Sequence, residues 1–305
     1  MVHTNKRVDG SSSYETIGQV RRYDMIGEGQ YILGLGQLLV EGGRRDENLE
    51  RADRMIRRAG AVGCRIVVLP ECLDLGWTSP SAKELAAPIP GPHSDVLAKA
   101  AREAGVYVVA GLTERFGAKV YNAAVLISDA GEILALHRKI NILSIAQDLY
   151  ATGDRLGVVE TPLGVIGLTV CADNFPDTLV FAHSLARMGA QLILSPSAWA
   201  VAANHDNQRD PYGGMWLDAY TQIAQLYDVY MVGVSNVGAV VGGPWDGQKC
   251  IGCSMAIGPG GTQLAKAPYG ESADTLVTVN VAPVPRSVTG TAWSEFLRKR
   301  GYELP

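Results

Sequence analysis

The chain has 305 residues, of which 47% are apolar and 19% charged, and it contains 35 glycines. This composition is typical of a folded protein with many tight turns, and it excludes a disordered or collagen-like chain. A net charge of −4 gives no electrostatic basis for binding nucleic acid or an anionic membrane. The apolar runs are too short to span a bilayer. Five irregularly spaced cysteines favour a reduced, cytoplasmic protein over a disulfide scaffold.

Strand and helix patterns alternate along most of the chain. Residues 1–30 are polar, carry no apolar secretion signal and are predicted to form an N-terminal extension. A strand is then predicted over Ile32–Val40 and a helix over Glu47–Ala61, where apolar residues recur every three or four positions. Further short β-branched runs predict buried strands at 65–69, 105–113, 189–195 and 228–236.

Turn sequences rich in glycine and proline separate several of these strands. They predict hairpins at 129–131, 162–164 and 259–261. The pattern therefore indicates an α/β protein with mixed sheets, outer helices and functional residues at the carboxyl ends of strands. No break in composition follows residue 31, so residues 31–285 are predicted to form one domain, followed by a tail over 286–305. A helical pattern around Trp293 and Phe296 in the tail indicates packing either on a partner subunit or on its own core.

Several common functional motifs are missing from the sequence. It contains no phosphate-binding glycine loop, no HExxH and no GxSxG nucleophile elbow. Cys250 and Cys253 form a lone CxxC without a second pair or a histidine near in sequence, so a structural role explains them better than metal binding. We expect no metal site.

Three predicted strands run into chemically reactive side chains. The first ends in Glu71, the second in a basic cluster that contains Lys139, and the third in Cys171. Each has a structural explanation when taken alone, because a strand exit, a solvated basic surface and a small core residue are all common. A cysteine just before a helix, however, lies where exposed backbone amides favour the thiolate.

Taken together and in this order, three motifs resemble the nitrilase, or carbon–nitrogen hydrolase, superfamily. They are LPE at Leu69–Glu71, HRKI at His137–Ile140 and the strand-to-turn sequence at Cys171. The resemblance extends from about Tyr31 to about Pro285. It implies a four-layer α-β-β-α sandwich with two mixed sheets, and a homodimer or higher homo-oligomer paired through the cysteine-bearing face.

The resemblance also implies a catalytic triad of Glu71, Lys139 and Cys171 that needs no cofactor. In these roles Cys171 attacks the carbonyl or nitrile carbon, and Glu71 accepts the thiol proton and later protonates the leaving amine. Lys139 and the backbone N–H after Cys171 then face the developing oxyanion.

One position departs from the superfamily pattern. Many members carry a second glutamate shortly after the lysine, and Gln147 stands at about that position. A glutamine forms hydrogen bonds but supplies no negative charge to position Lys139. We expect Gln147 to lie at the substrate site, with Asp148 as the alternative source of the charge.

The residues around the cysteine favour an amide substrate. Nitrilases of the superfamily typically continue Cys-Trp-Glu, whereas Cys171 is followed by Ala172, Asp173 and Asn174, which is closer to the amidase branches. The leading prediction is hydrolysis of a small neutral amide to a carboxylic acid and ammonia, with Ala172 and Asn174 beside the substrate. Trp199 ends another predicted strand, where it serves either as a pocket wall or as a core aromatic.

Three other interpretations stay open. Hydrolases of N-carbamoyl amino acids commonly carry an arginine just after the cysteine, where a guanidinium holds a carboxylate. Here none follows before Arg187, although Arg209 lies in a polar loop sequence. A nitrilase is the second alternative. A non-catalytic binding protein with the same fold is the third, and only Gln147 favours it.

Overall fold

The structure is a computed structural model that describes residues 29–285 and 298–301. Within them, fifteen strands and five α-helices are named as follows. The strands are β1 (Tyr31–Gln37), β2 (Cys64–Val68), β3 (Tyr107–Phe116), β4 (Lys119–Ile127), β5 (Ile133–Arg138), β6 (Val158–Thr161), β7 (Gly164–Leu168), β8 (Leu192–Ser197), β9 (Ala200–Val201), β10 (Tyr230–Ser235), β11 (Val237–Ala239), β12 (Lys249–Ile251), β13 (Met255–Gly258), β14 (Thr262–Lys266) and β15 (Thr275–Val281). The helices are α1 (Arg45–Ala61), α2 (Ala82–Leu85), α3 (Pro92–Ala104), α4 (Val180–Arg187) and α5 (Gly214–Tyr227).

Two six-stranded mixed sheets form the centre of the molecule. The first has the strand order β15-β1-β2-β3-β4-β5, and the second has the order β14-β13-β10-β8-β7-β6. The inner strands β1, β2 and β3 are parallel, as are β7, β8 and β10, while antiparallel strands flank both groups. A small third sheet has the order β11-β12-β9. Parallel inner strands place several carboxyl ends at one edge, where functional residues collect.

Alternating side chains of β1 define the layers. Leu33 and Leu35 belong to the apolar cluster between the two sheets, which continues to α4 and α5 on the far side. The opposite face of the first sheet packs on α1 and α3, and a Cβ added at Gly36 on that face would meet Met55 of α1. Period-two alternation of strand side chains accounts for this division. The arrangement confirms the predicted four-layer α-β-β-α sandwich.

Most of the predicted elements are present within the described residues. The three predicted turns all connect antiparallel strands, β4 with β5, β6 with β7 and β13 with β14. The first strand ends at Gln37, three residues before its predicted end.

The prediction of a helix directly after Cys171 is wrong. A single 3-10 turn, Cys171–Asn174, stands there, and α4 begins only at Val180. Phe175 precedes Pro176 and is extended, with φ −65° and ψ 155°. The proline ring disfavours the helical conformation in the residue before it, so the turn stops at this point.

The predictions for both termini lie almost entirely outside the described residues. Residues 1–28, 286–297 and 302–305, including Trp293 and Phe296, are among those not described. The terminal boundaries therefore stay predictions. The homo-oligomeric state and the cytoplasmic location stay predictions as well. Among the helices described, none combines the length and the apolar character that crossing a membrane requires.

A glycine in β3 allows the loop after β2 to approach closely. A Cβ added at Gly111 would lie 2.4 Å from Glu71 Cα and 2.8 Å from Pro70 O, both backbone atoms. The Gly111 N–H also donates to Pro70 O at 2.9 Å. The absence of a side chain at this position is thus what allows Glu71 its place beside the sheet.

We expect Gly111→Ala to destabilise the fold by about 1–3 kcal/mol, the usual cost of overpacking a rigid site. Urea unfolding measures this change. Gly157→Ala is the matched control, because a Cβ added at Gly157 meets nothing within 4 Å. Equal free energies of unfolding for the two variants would contradict the close approach at Gly111.

Candidate active site

Four adjacent strands of the first sheet build a buried charged centre. Glu71 follows the end of β2, Asn122 lies in β4, and Lys139 directly follows β5, while Gly111 of β3 leaves the space between them. Glu71 Oε1 accepts hydrogen bonds from Lys139 Nζ at 2.6 Å and from Asn122 Nδ2 at 2.5 Å. Glu71 Oε2 is buried and has no hydrogen-bond partner among the described residues. One carboxylate oxygen is thus occupied and the other is available to accept a proton.

Lys139 is held in the charged state although it is only 2% exposed. Burial lowers the pKa of its ammonium, but the acidic neighbours Glu71, Cys171 and Asp173 together raise that pKa above its ordinary value, with Glu71 contributing most. The backbone N–H of Lys139 donates to Asn122 O at 2.8 Å, which fixes the main chain beneath the side chain. A buried, paired cation therefore lies at the end of β5.

Cys171 lies in a strained turn beyond β7. Its φ is +44°, a left-handed backbone conformation that residues other than glycine rarely adopt. The Cys171 N–H donates to Ser195 Oγ at 3.0 Å, and Asn174 Nδ2 donates to the same hydroxyl at 3.0 Å. Strain of this kind persists only where surrounding contacts hold it, and it is common at functional sites.

The surroundings of the Cys171 thiol favour its protonated form. Burial raises the pKa of the thiol and the Glu71 carboxylate raises it further, whereas Lys139 and the Ala198 N–H lower it less. A neutral thiol is a weak nucleophile, so it requires a base at the moment of reaction. The structure places the Glu71 carboxylate close enough to act on this thiol electrostatically.

Two of the predicted substrate-binding residues support the cysteine turn. Ala172 is fully buried, and its carbonyl accepts from Asn141 Nδ2 at 2.7 Å and from Thr178 Oγ1 at 2.8 Å. Asn174 is fully buried as well, and its amide donates to Thr169 Oγ1 at 2.9 Å in addition to Ser195. Contact of either residue with a substrate stays a prediction.

The other two predicted substrate-binding residues differ greatly in exposure. Gln147 and Asp148 are both exposed, and Gln147 Nε2 lies 3.4 Å from Ile142 O. Trp199 is 1% exposed and stacks on Trp216 of α5, with ring centroids 4.9 Å apart. The stacking agrees with the core interpretation of Trp199, and substrate contacts of Trp199 and Gln147 stay predictions.

Sequence reasoning missed Asn122, which contacts Glu71, and Asp173, which binds backbone groups next to Lys139 and Cys171. Asn122 was not singled out, although a lone amide within the apolar strand sequence Tyr-Asn-Ala-Ala-Val-Leu-Ile is an unusual buried polar group. Asp173 was noted only as a neighbour of the cysteine. Burial opposes its charge, but the hydrogen bond from His137 and other contacts hold the pKa of Asp173 below its ordinary value.

Comparison with known proteins identifies the family. The model of the carbon–nitrogen hydrolase family matches residues 34–292, which is most of the chain. The protein therefore belongs to the carbon–nitrogen hydrolases, the class that the three motifs predicted.

Individual relatives agree with this assignment. The chain is 32% identical over 181 residues to the omega-amidase NIT2 of Danio rerio, covering 56% of this chain and 64% of the relative. It is 35% identical over 159 residues to a nitrilase of Pyrococcus abyssi, covering 50% of this chain and 59% of the relative. The matched regions thus span less than two thirds of either relative's length.

Solved structures share the fold. A mutant of the Nesterenkonia AN1 amidase from the nitrilase superfamily superposes with a TM-score of 0.69 at 22% identity, covering 83% of this chain and 92% of that one. Saccharomyces cerevisiae Nit3 superposes with a TM-score of 0.70 at 21% identity, covering 89% and 94%. These identities support the architecture alone.

We expect Glu71→Gln to lower the pKa of the Cys171 thiol. The Glu71 charge raises that pKa, so its removal leaves Lys139 as the nearby charge and favours the thiolate. Thiolate absorbance near 240 nm, followed against pH, measures the shift. The matched baseline is the Glu71→Gln/Cys171→Ala double variant. A titration at or above the wild-type pH would contradict the described electrostatics.

Proposed function

We propose that the protein hydrolyses a small amide to a carboxylic acid and ammonia through a thioester on Cys171. The observation that carries this proposal is the buried Glu71–Lys139 pair, joined at 2.6 Å, close to the buried thiol of Cys171. A base with one free oxygen, a fixed cation and a nucleophile are the three groups that acyl transfer requires.

In the proposed acylation, Glu71 Oε2 accepts the thiol proton as the sulfur of Cys171 bonds to the amide carbon. Negative charge then develops on the amide oxygen, where the Lys139 ammonium and the Ala172 N–H stabilise it. The protonated Glu71 donates its proton to the amide nitrogen, the C–N bond breaks, and ammonia leaves. Sulfur and carbon stay joined as a thioester.

In the proposed deacylation, the same carboxylate acts on water. Glu71 accepts a proton from water as the water oxygen bonds to the thioester carbon, and the second oxyanion meets the same donors. The C–S bond breaks, the sulfur regains the proton from Glu71, and the carboxylic acid is released. Because Asn122 and Lys139 both bind Oε1, the other oxygen keeps its orientation through both half-reactions.

A neutral amide is the proposed substrate class. Arg209, the arginine considered for holding a substrate carboxylate, is exposed on a loop, and Arg187 lies at the end of the outer helix α4. The names of the relatives support amide hydrolysis as well, since they include omega-amidases and an amidase solved in complex with acrylamide.

A substrate panel distinguishes the possible reactions. Ammonia and carbon dioxide release would be measured for small amides, N-carbamoyl amines and nitriles. We expect ammonia without carbon dioxide from the amides. Ammonia with carbon dioxide from the carbamoyl compounds alone would replace the proposal with a carbamoyl hydrolase. Turnover of nitriles alone would replace it with a nitrilase, and no release from any of the three would favour a binding protein.

We expect Cys171→Ala to lower turnover by about ten-thousand-fold or more, the order of loss when a nucleophile is removed. The free energy of unfolding should stay within about 1 kcal/mol, because a small buried side chain is replaced by another. Cys64→Ala is the matched control, since Cys64 is also buried but lies in the cluster under α1. An active Cys171→Ala variant would contradict the thioester mechanism.

A further inference from the structure

The carboxylate of Asp173 connects the two segments that carry Lys139 and Cys171. On one side, Asp173 Oδ1 accepts from the backbone N–H groups of Ile140 at 3.1 Å and Asn141 at 2.7 Å. On the other side, Oδ2 accepts from the Val170 N–H at 2.9 Å. One carboxylate thus binds backbone groups of both segments.

A histidine from the lysine segment completes this arrangement. His137 Nε2 lies 2.9 Å from Asp173 Oδ2, and both side chains are buried. An ionised carboxylate only accepts hydrogen bonds, so His137 donates from Nε2. His137 Nδ1 is buried and has no partner among the described residues. Among the described residues, the His137 ring therefore makes its hydrogen bond to Asp173.

The contacts fall immediately next to the proposed catalytic groups. His137 and Ile140 bracket the Lys139 position in sequence, while Val170 precedes Cys171. A second direct connection runs from Asn141 Nδ2 to Ala172 O at 2.7 Å. The segments that carry the ammonium and the thiol are thus joined by the Asp173 carboxylate and by the Asn141 side chain.

We propose that Asp173, held by His137, is a positioning residue that sets Lys139 against Cys171. This inference rests on the proposed amide hydrolysis for its kinetic consequence, but its geometry stands without it. The carboxylate also contributes negative charge near Lys139, which favours the ammonium. Gln147 carries no charge and lies exposed, so Asp173 supplies from the cysteine turn a second negative charge that the sequence lacks at position 147.

A second buried histidine–aspartate pair offers a matched control. Asp74 Oδ2 lies 2.8 Å from His93 Nδ1, and both side chains are buried as in the first pair. Asp74 accepts from the Thr113 N–H at 3.1 Å, which ties the loop after β2 to β3. Loss of this pair reports the general cost of neutralising a buried carboxylate, without altering the contacts of Asp173.

The test compares Asp173→Asn with Asp74→Asn. We expect Asp173→Asn to lower kcat by about 30-fold or more with KM within threefold, because small misplacements of reacting groups cost up to about 100-fold in rate. The rate of Cys171 alkylation by iodoacetamide, followed by mass spectrometry of its peptide, should fall at least fivefold. Because Asp74 lies in the loop that carries Glu71, this control is compared by the alkylation rate alone, which should stay within threefold of wild type. Equal losses of the alkylation rate in the two variants would overturn the proposal.

Histidine variants keep the proposal testable if Asp173→Asn does not fold. His137→Leu removes the donor and is expected to lower kcat by about tenfold. His137→Gln places an amide donor near Asp173 and should restore at least half of the decrease in log kcat. No loss in His137→Leu, or no recovery in His137→Gln, would overturn the role of His137. If wild type hydrolyses no amide, the proposed function fails, and the alkylation rates alone decide the positioning role.

Discussion

The ion pair between Glu71 and Lys139 is the constraint on which the rest of the site depends. Two charges removed from water are tolerated only when they are closely paired and hydrogen-bonded. Here the pair is joined at 2.6 Å, and Asn122 adds a further donor to the same oxygen. The two residues are 68 positions apart in sequence, so the register of strands β2 to β5 must be correct before the charges can meet.

The pair also influences the nucleophile. Burial raises the pKa of the Cys171 thiol most, the Glu71 carboxylate raises it further, and the Lys139 ammonium offsets only part of that rise. The proposed mechanism therefore assigns proton transfer to Oε2 of Glu71, which has no partner among the described residues. One carboxylate that accepts and returns the same proton is sufficient for both half-reactions of acyl transfer.

Local periodicity and turn residues were sufficient to predict mixed sheets, outer helices and the hairpins. The superfamily, and with it the four-layer sandwich, came from the resemblance carried by three short motifs. Sequence reasoning was insufficient in two places. Cys171 was placed before a helix without weighing Pro176, a local signal that limits that segment to one turn. Likewise, the exposure of Gln147 depends on how the loop after β5 closes, and no spacing rule reports that.

Contacts made by ordinary residue types were the hardest to foresee. Asn122 and Asp173 are common residues, and their importance arises from which backbone groups and charges the fold brings to them. The sequence allowed two interpretations of Trp199, as a pocket wall or as a core aromatic. Its stacking on Trp216, which the sequence does not show, places it in the aromatic core. Functional assignments by motif thus identify reactive groups more readily than the residues that orient them.

The most direct test of this account is to look for the covalent intermediate itself. Wild-type protein would be mixed with a small amide, quenched in acid within one turnover and digested, and the peptide that contains Cys171 would be weighed by mass spectrometry. The account predicts a mass increase equal to the acyl group of the amide on that peptide, released on treatment with hydroxylamine. A different result would contradict the account: the carboxylic acid forms steadily, but the Cys171 peptide is unmodified at every quench time. The acyl group would then be absent from wild type just as it is from Cys171→Ala.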